Sequence, residues 1–191
     1  MKNFFKKLTG LDKLEEKLEQ TTNLIAETEK KAAEAVKAAE EAKAAGADTT
    51  HVDSIKQVVT WANENQELSG LANIRWVVED ALKFVKRELK RGKTYNGIIL
   101  DPPAYGHGPN GEKWKLEDHI QEMMHDVMQL LDPEEHFLIL NAYSMGFSSV
   151  IIENLLKSSM PSIENLHCGE LYLQASSGCK LPLGVFGRCS K

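Results

Sequence analysis

The chain has 191 residues, of which 42% are hydrophobic, 27% charged and 7% aromatic. That composition fits about one folded domain with an appendage and excludes collagen-like, mucin-like and wholly disordered chains. Lys+Arg 23 against Asp+Glu 28 gives a net charge of -5, which argues against a broad nucleic-acid footprint and confines any such contact to a local patch.

No apolar stretch approaches the roughly 18 residues that a membrane span requires. The opening MKNFFKKLTG lacks the apolar region of a secretory signal, so a cytoplasmic protein with no membrane span is expected. Residues 11–45 are almost entirely Leu, Ala, Glu, Lys and Thr without Gly or Pro, which predicts one long charged, Ala-rich helix over the segment 1–45. Counted in sevens, Leu11, Leu14, Leu18, Thr21, Ile25, Thr28, Ala32, Ala35, Ala39 and Ala42 line one seam. Alanine buries little area, so two readings stand: a thin coiled coil that makes a homo-oligomer or docks a partner helix, and a solvated helix laced with Glu/Lys pairs. Phe4 and Phe5 among Lys2, Lys6 and Lys7 also suit a short surface anchor.

From Gly46 to Lys191 short apolar runs alternate with helical patterns, the signature of βα units in a mostly parallel sheet. THVD predicts a strand ending at Asp53; Ser54 is placed to cap a helix through about Leu68, with Gly70 as its stop. IRWVV, residues 74–78, is the next strand, and after Asp80 a helix runs to Gly92. YNGIIL, residues 95–100, has the near-continuous apolar run of a central strand buried on both faces. A Gly/Pro-rich loop, read as mobile, leads to a helix from about Leu116 to Leu131, followed by the strand HFLILNAY. A helix near Ser148 to Lys157 and strands around Gly169–Gln174 and Leu181–Arg188 complete the chain. The short Ser176-Ser177-Gly178 connection makes those last two an antiparallel hairpin.

Ligands of open α/β sheets lie beyond the carboxyl ends of strands, so Asp53, Glu79, Asp80, Asp101 and Asn141 to Tyr143 are the positions to weigh. An acid at a strand tip accepts ribose hydroxyls or an adenine amino group, but Asp53 and Asp80 equally suit helix capping. Asp101-Pro102-Pro103-Ala104-Tyr105 is the most specific signal. Two prolines after a strand make a stiff exit, and the carboxylate with a proline carbonyl accepts the hydrogens of an amine while Tyr105 stacks on a base. A rigid turn with a tyrosine capping the core accounts for the same residues. Gly106, Gly108 and Gly111 spell GxGxxG, but no helix opens within them, so a dinucleotide fingerprint is excluded. His107, Lys113, Trp114 and Lys115 suit phosphate or base contact, or an ordinary solvated loop. His119 and His125 do not share a helical face, so no metal site is expected. Cys168, Cys179 and Cys189 lack CxxC spacing and read as small reduced hydrophobes. Met123, Met124 and Met128 read as core.

AGADTTHVDSIKQVVTWANENQELSGL, IRWVVEDALKFVKRELKRG, YNGIILDPPAYGHGPNGEKWKLED and LPLGVFGR, spread over about residues 44–191, resemble class I S-adenosylmethionine-dependent methyltransferases, above all the bacterial large-subunit (23S) ribosomal RNA group. The resemblance implies a Rossmann-like sheet ending in an antiparallel hairpin, with S-adenosylmethionine as methyl donor and RNA as substrate. It places the donor at Asp53, Ser54, Asp80 and Ala81, with Asp53 on the ribose and Asp80 on the adenine. Asp101, Pro102, Pro103 and Tyr105 fall at the methyl acceptor. Related enzymes that methylate a pyrimidine carbon use a cysteine, which this chain lacks before Cys168, so a base nitrogen is the expected acceptor. The family also places a first strand and a Gly-rich loop just upstream of AGADTTHVD, where this sequence has its Ala-rich helix. The expected sheet is therefore incomplete at that strand, and two functions stay open: methyl transfer, active or lost with the loop, and a non-catalytic interaction protein using the helix.

Overall fold

A computed structural model of the chain describes residues 46–72, 74–107, 113–143, 146–160 and 162–191. The helix and seam expected over residues 11–45, together with Gly108 and Gly111, lie outside them. The chain divides into two units, Met1–Glu79 and Asp80–Lys191.

In the first unit, β-branched Thr49, Thr50 and Val52 shape β1 (Thr49–Asp53), which pairs in parallel with β2 (Ile74–Val78) so that Asp53 lies opposite Val78. Helix α1 (Lys56–Leu68) connects them and buries Val58, Val59 and Ala62 beside Ile74. Its start differs from expectation. Ile55, not Ser54, is the N-cap residue, and it makes no side-chain capping bond. The turn is held instead by the Asp53 carboxylate, whose Oδ1 accepts the Ile55 N–H at 2.6 Å. At the other end Gly70 adopts φ +68°, as its place after the helix requires. His51 on β1 lies 5.0 Å from Trp76 on β2 with rings tilted by 55°. Burial lowers the His51 pKa and favours the neutral imidazole, only partly offset by Asp53.

In the second unit, α2 (Ala81–Lys90) leads to β3 (Gly97–Leu100), and an antiparallel pair, β4 (Tyr105–His107) with β5 (Lys113–Lys115), follows. Then come α3 (Leu116–Met128), β6 (Phe137–Ala142), α4 (Ser149–Ser159), β7 (His167–Gln174) and β8 (Lys180–Ser190). Strands β3, β6, β8 and β7 hydrogen-bond in that order, parallel between β3 and β6 and antiparallel thereafter, so the expected terminal hairpin is present. Leu138, Leu140 and Ala142 of β6 alternate into a core completed by Met123, Met124 and Met128 of α3, Ile152 and Leu156 of α4, and Val185 and Cys189 of β8. The connection between α4 and β7 carries Asn165 at φ +45°, and Ser148 caps α4 through the Ile151 N–H.

Strand β3 departs from the sequence reading. It is shorter than residues 95–100, because Tyr95 makes only an isolated bridge to Leu131, and Ile99 is 58% exposed. Among the described residues β3 pairs on one side only, with β6, so it is an edge of its sheet and not the expected central strand, and the exposed Ile99 shows that it is not buried on both faces. Cys179, read as a small hydrophobe, is exposed in the β7–β8 turn, while Cys189 is buried.

Glu88 is a buried charge on the helix face that Val85 and Phe84 occupy three and four residues earlier. Its side chain is 2% exposed, and it accepts the Tyr95 hydroxyl at 2.9 Å and the Arg91 guanidinium at 2.9 Å. Burial, the largest influence, pushes its pKa up, but the bonds from Tyr95, Arg91 and Arg87 outweigh it and hold the carboxyl below its usual range. Glu88→Gln is therefore expected to cost about 1–3 kcal/mol in urea unfolding. A group with a depressed folded pKa stabilises above its unfolded pKa. The wild-type advantage over Glu88→Gln should therefore be complete at neutral pH and shrink as the pH falls below about 4.5.

Candidate active site

Parallel register between β3 and β6 sets Leu100 opposite Leu140, so Asp101 leaves β3 level with Asn141, next to the last residue of β6. Beyond it, Pro102 is buried and Pro103 exposed, and the fixed φ of both stiffens the exit. Trp114 closes the turn: its Nε1–H donates to the Pro103 carbonyl at 2.7 Å, and its ring stacks on His119 of α3 at 5.1 Å with 20° between planes. The Leu116 N–H adds a bond to the Ala104 carbonyl at 3.0 Å. Tyr105, at 65% exposure, faces solvent, and Asp101, four residues earlier, is also exposed.

Asp101, Pro102, Pro103 and Tyr105 are thus contiguous in the second unit. Asp80 and Ala81 head α2 in that unit, where the Asp80 Oδ1 accepts the Lys83 N–H at 3.0 Å, so the capping role is realised. Asp53 and Ser54 end β1 in the first unit, where the Asp53 carbonyl accepts the Glu79 N–H at 3.0 Å. Asp53 and Asp80 each spend Oδ1 on a backbone N–H. A carboxylate has about four acceptor sites, so each keeps capacity for a hydroxyl or amino group. Among the described residues no cluster of His, Cys, Asp and Glu is arranged to hold a metal.

The locking role of Trp114 and the β4–β5 pairing were not read from the sequence, where glycines and prolines suggested only a mobile loop. The available signal was the alternation of Lys113, Trp114 and Lys115 against Tyr105, Gly106 and His107, a two-residue period across a tight connection. Trp114→Phe keeps a ring over His119 and removes the donor to Pro103. It is expected to lower stability by about 0.5–1.5 kcal/mol in urea unfolding followed by circular dichroism.

No protein-family model matches the sequence. A SAM-dependent methyltransferase from Agrobacterium tumefaciens superposes with a TM-score of 0.69 at 39% identity, covering 76% of this chain and 50% of that one. The chain is similar to class I S-adenosylmethionine-dependent methyltransferases. In sequence it is also similar to ribosomal RNA methyltransferases. The ribosomal RNA large subunit methyltransferase K/L of Shewanella frigidimarina is 27% identical over 95 residues, 48% of this chain and 13% of that protein. The protein of the same name from Allochromatium vinosum is 28% identical over 104 residues, 52% of this chain and 14% of that protein. The chain therefore spans half the length of its Agrobacterium relative and about one seventh of the two curated ones. Among its described residues no helix is long and apolar enough to cross a membrane.

Proposed function

We propose that the chain transfers a methyl group from S-adenosylmethionine to a nitrogen of an RNA base, ribosomal RNA being the class named in its curated relatives. The observation that carries this reading is the exposed Asp101 and Tyr105 on a turn braced by Trp114.

When bound, the donor supplies an electrophilic methyl group on a sulfonium centre. Asp53 and Ser54 would hold its ribose, and Asp80 and Ala81 its adenine; the unused acceptor capacity of both carboxylates fits hydroxyl and amino hydrogens. At the acceptor, Asp101 and a proline carbonyl would take the amine hydrogens and aim its lone pair. The Pro103 carbonyl is engaged by Trp114, so the carbonyl for that task is assigned to Pro102. Tyr105 would stack on the unpaired base. A chain acting on such an RNA would work in the cytoplasm.

The test is incubation of the full chain with methyl-tritiated S-adenosylmethionine and ribosomal RNA, then digestion to nucleosides. Label in a nucleoside methylated on nitrogen is expected. Label on a pyrimidine carbon would overturn the choice of acceptor. No label on any RNA would favour the competing interaction-protein reading.

A further inference from the structure

The β4–β5 ribbon has two unlike faces. Gly106 pairs with Trp114, whose indole turns back to the Pro103 carbonyl. Tyr105 pairs with Lys115, and Lys113 lies two residues before Lys115 on the same strand, so Tyr105, Lys113 and Lys115 share the other face. Both lysines are exposed, and neither forms an ion pair with a described residue. An exposed aromatic ring opposite one cation and diagonal to a second, at the rim of the Asp101 turn, matches a stacking platform with phosphate contacts on the same strand of nucleic acid. In a chain of net charge -5 these are two exposed cations on one face of the ribbon that follows the Asp101 turn.

We propose that Lys113 and Lys115 hold the backbone phosphates flanking the nucleotide presented to Tyr105, making this ribbon face a docking surface for single-stranded RNA. The inference rests on the acceptor role given to Tyr105 above. A base inside a duplex offers no free face to the ring, so an unpaired strand is the occupant.

Fluorescence anisotropy of the full chain with labelled oligoadenylate, without donor, tests it. Lys113→Ala/Lys115→Ala is expected to weaken binding about tenfold or more at low salt, and to flatten the slope of log affinity against log salt by about 1.4, the value for two single-strand phosphate contacts. Lys113→Arg/Lys115→Arg should restore affinity and slope, and Lys90→Ala/Lys93→Ala should change neither. Absence of binding, binding untouched by the alanine pair, or equal binding of the oligoadenylate–oligouridylate duplex would overturn the proposal. Donor binding is measured separately by calorimetry, so failure of the methyltransferase reading and failure of this surface give different results.

Discussion

Asp101→Ala is expected to lower methyl transfer about a hundredfold or more while leaving donor affinity within about twofold, since a group that orients and polarises the attacking amine contributes on that scale. The carboxylate stands at the carboxyl edge of β3, level with Asn141, and the two prolines after it fix the direction of the chain. A matched assay of transfer rate and of S-adenosylhomocysteine binding separates the effects. Equal losses in both would move Asp101 to the donor site. In RNA binding read by fluorescence anisotropy, Tyr105→Phe keeps the stacking face, whereas Tyr105→Ala should cost about 1–3 kcal/mol. If phenylalanine proves as damaging as alanine, the hydroxyl rather than the ring is what Tyr105 supplies.

Leu156→Ala is expected to cost about 2–5 kcal/mol of stability, the range for emptying a fully buried leucine site. Leu156 has no exposed surface and lies with Ile152 directly over Gly187 of β8, where a Cβ would press on both side chains. Helix α4 approaches the sheet this closely because position 187 has no side chain. Gly187→Val should therefore destabilise as well, by about 1–3 kcal/mol through overpacking. Urea unfolding with an unchanged denaturant slope is the expected signature; a changed slope would point to an effect on the compactness of either state.

The sequence was most informative where one residue decides local geometry. Gly70 and Gly92 mark the helix ends with left-handed φ values of +68° and +63°, and Asp80 caps α2 as an acid before a helical run should. The run IRWVV became β2 over the same residues because β-branched side chains and a parallel neighbour favour the same conformation. Features that depend on distant partners were not legible. That β3 pairs with β6 alone among the described residues, and that Ile99 is exposed, depend on packing that no local run of apolar residues encodes. Burial of Glu88 depends on Tyr95 and two arginines reaching it together. Ser54 seemed a better cap than it is because Asp53, one residue earlier, already satisfies the turn. At the proposed acceptor turn the DPPAY run was plain, but its brace, Trp114, is fixed only once β4 and β5 pair.

Isothermal titration of the full chain with S-adenosylhomocysteine measures donor recognition most directly. The expected result is saturable heat with a micromolar dissociation constant, weakened at least tenfold by Asp53→Ala and by Asp80→Ala. No heat at near-millimolar ligand, or binding indifferent to both substitutions, would contradict the assignment of the donor to these carboxylates.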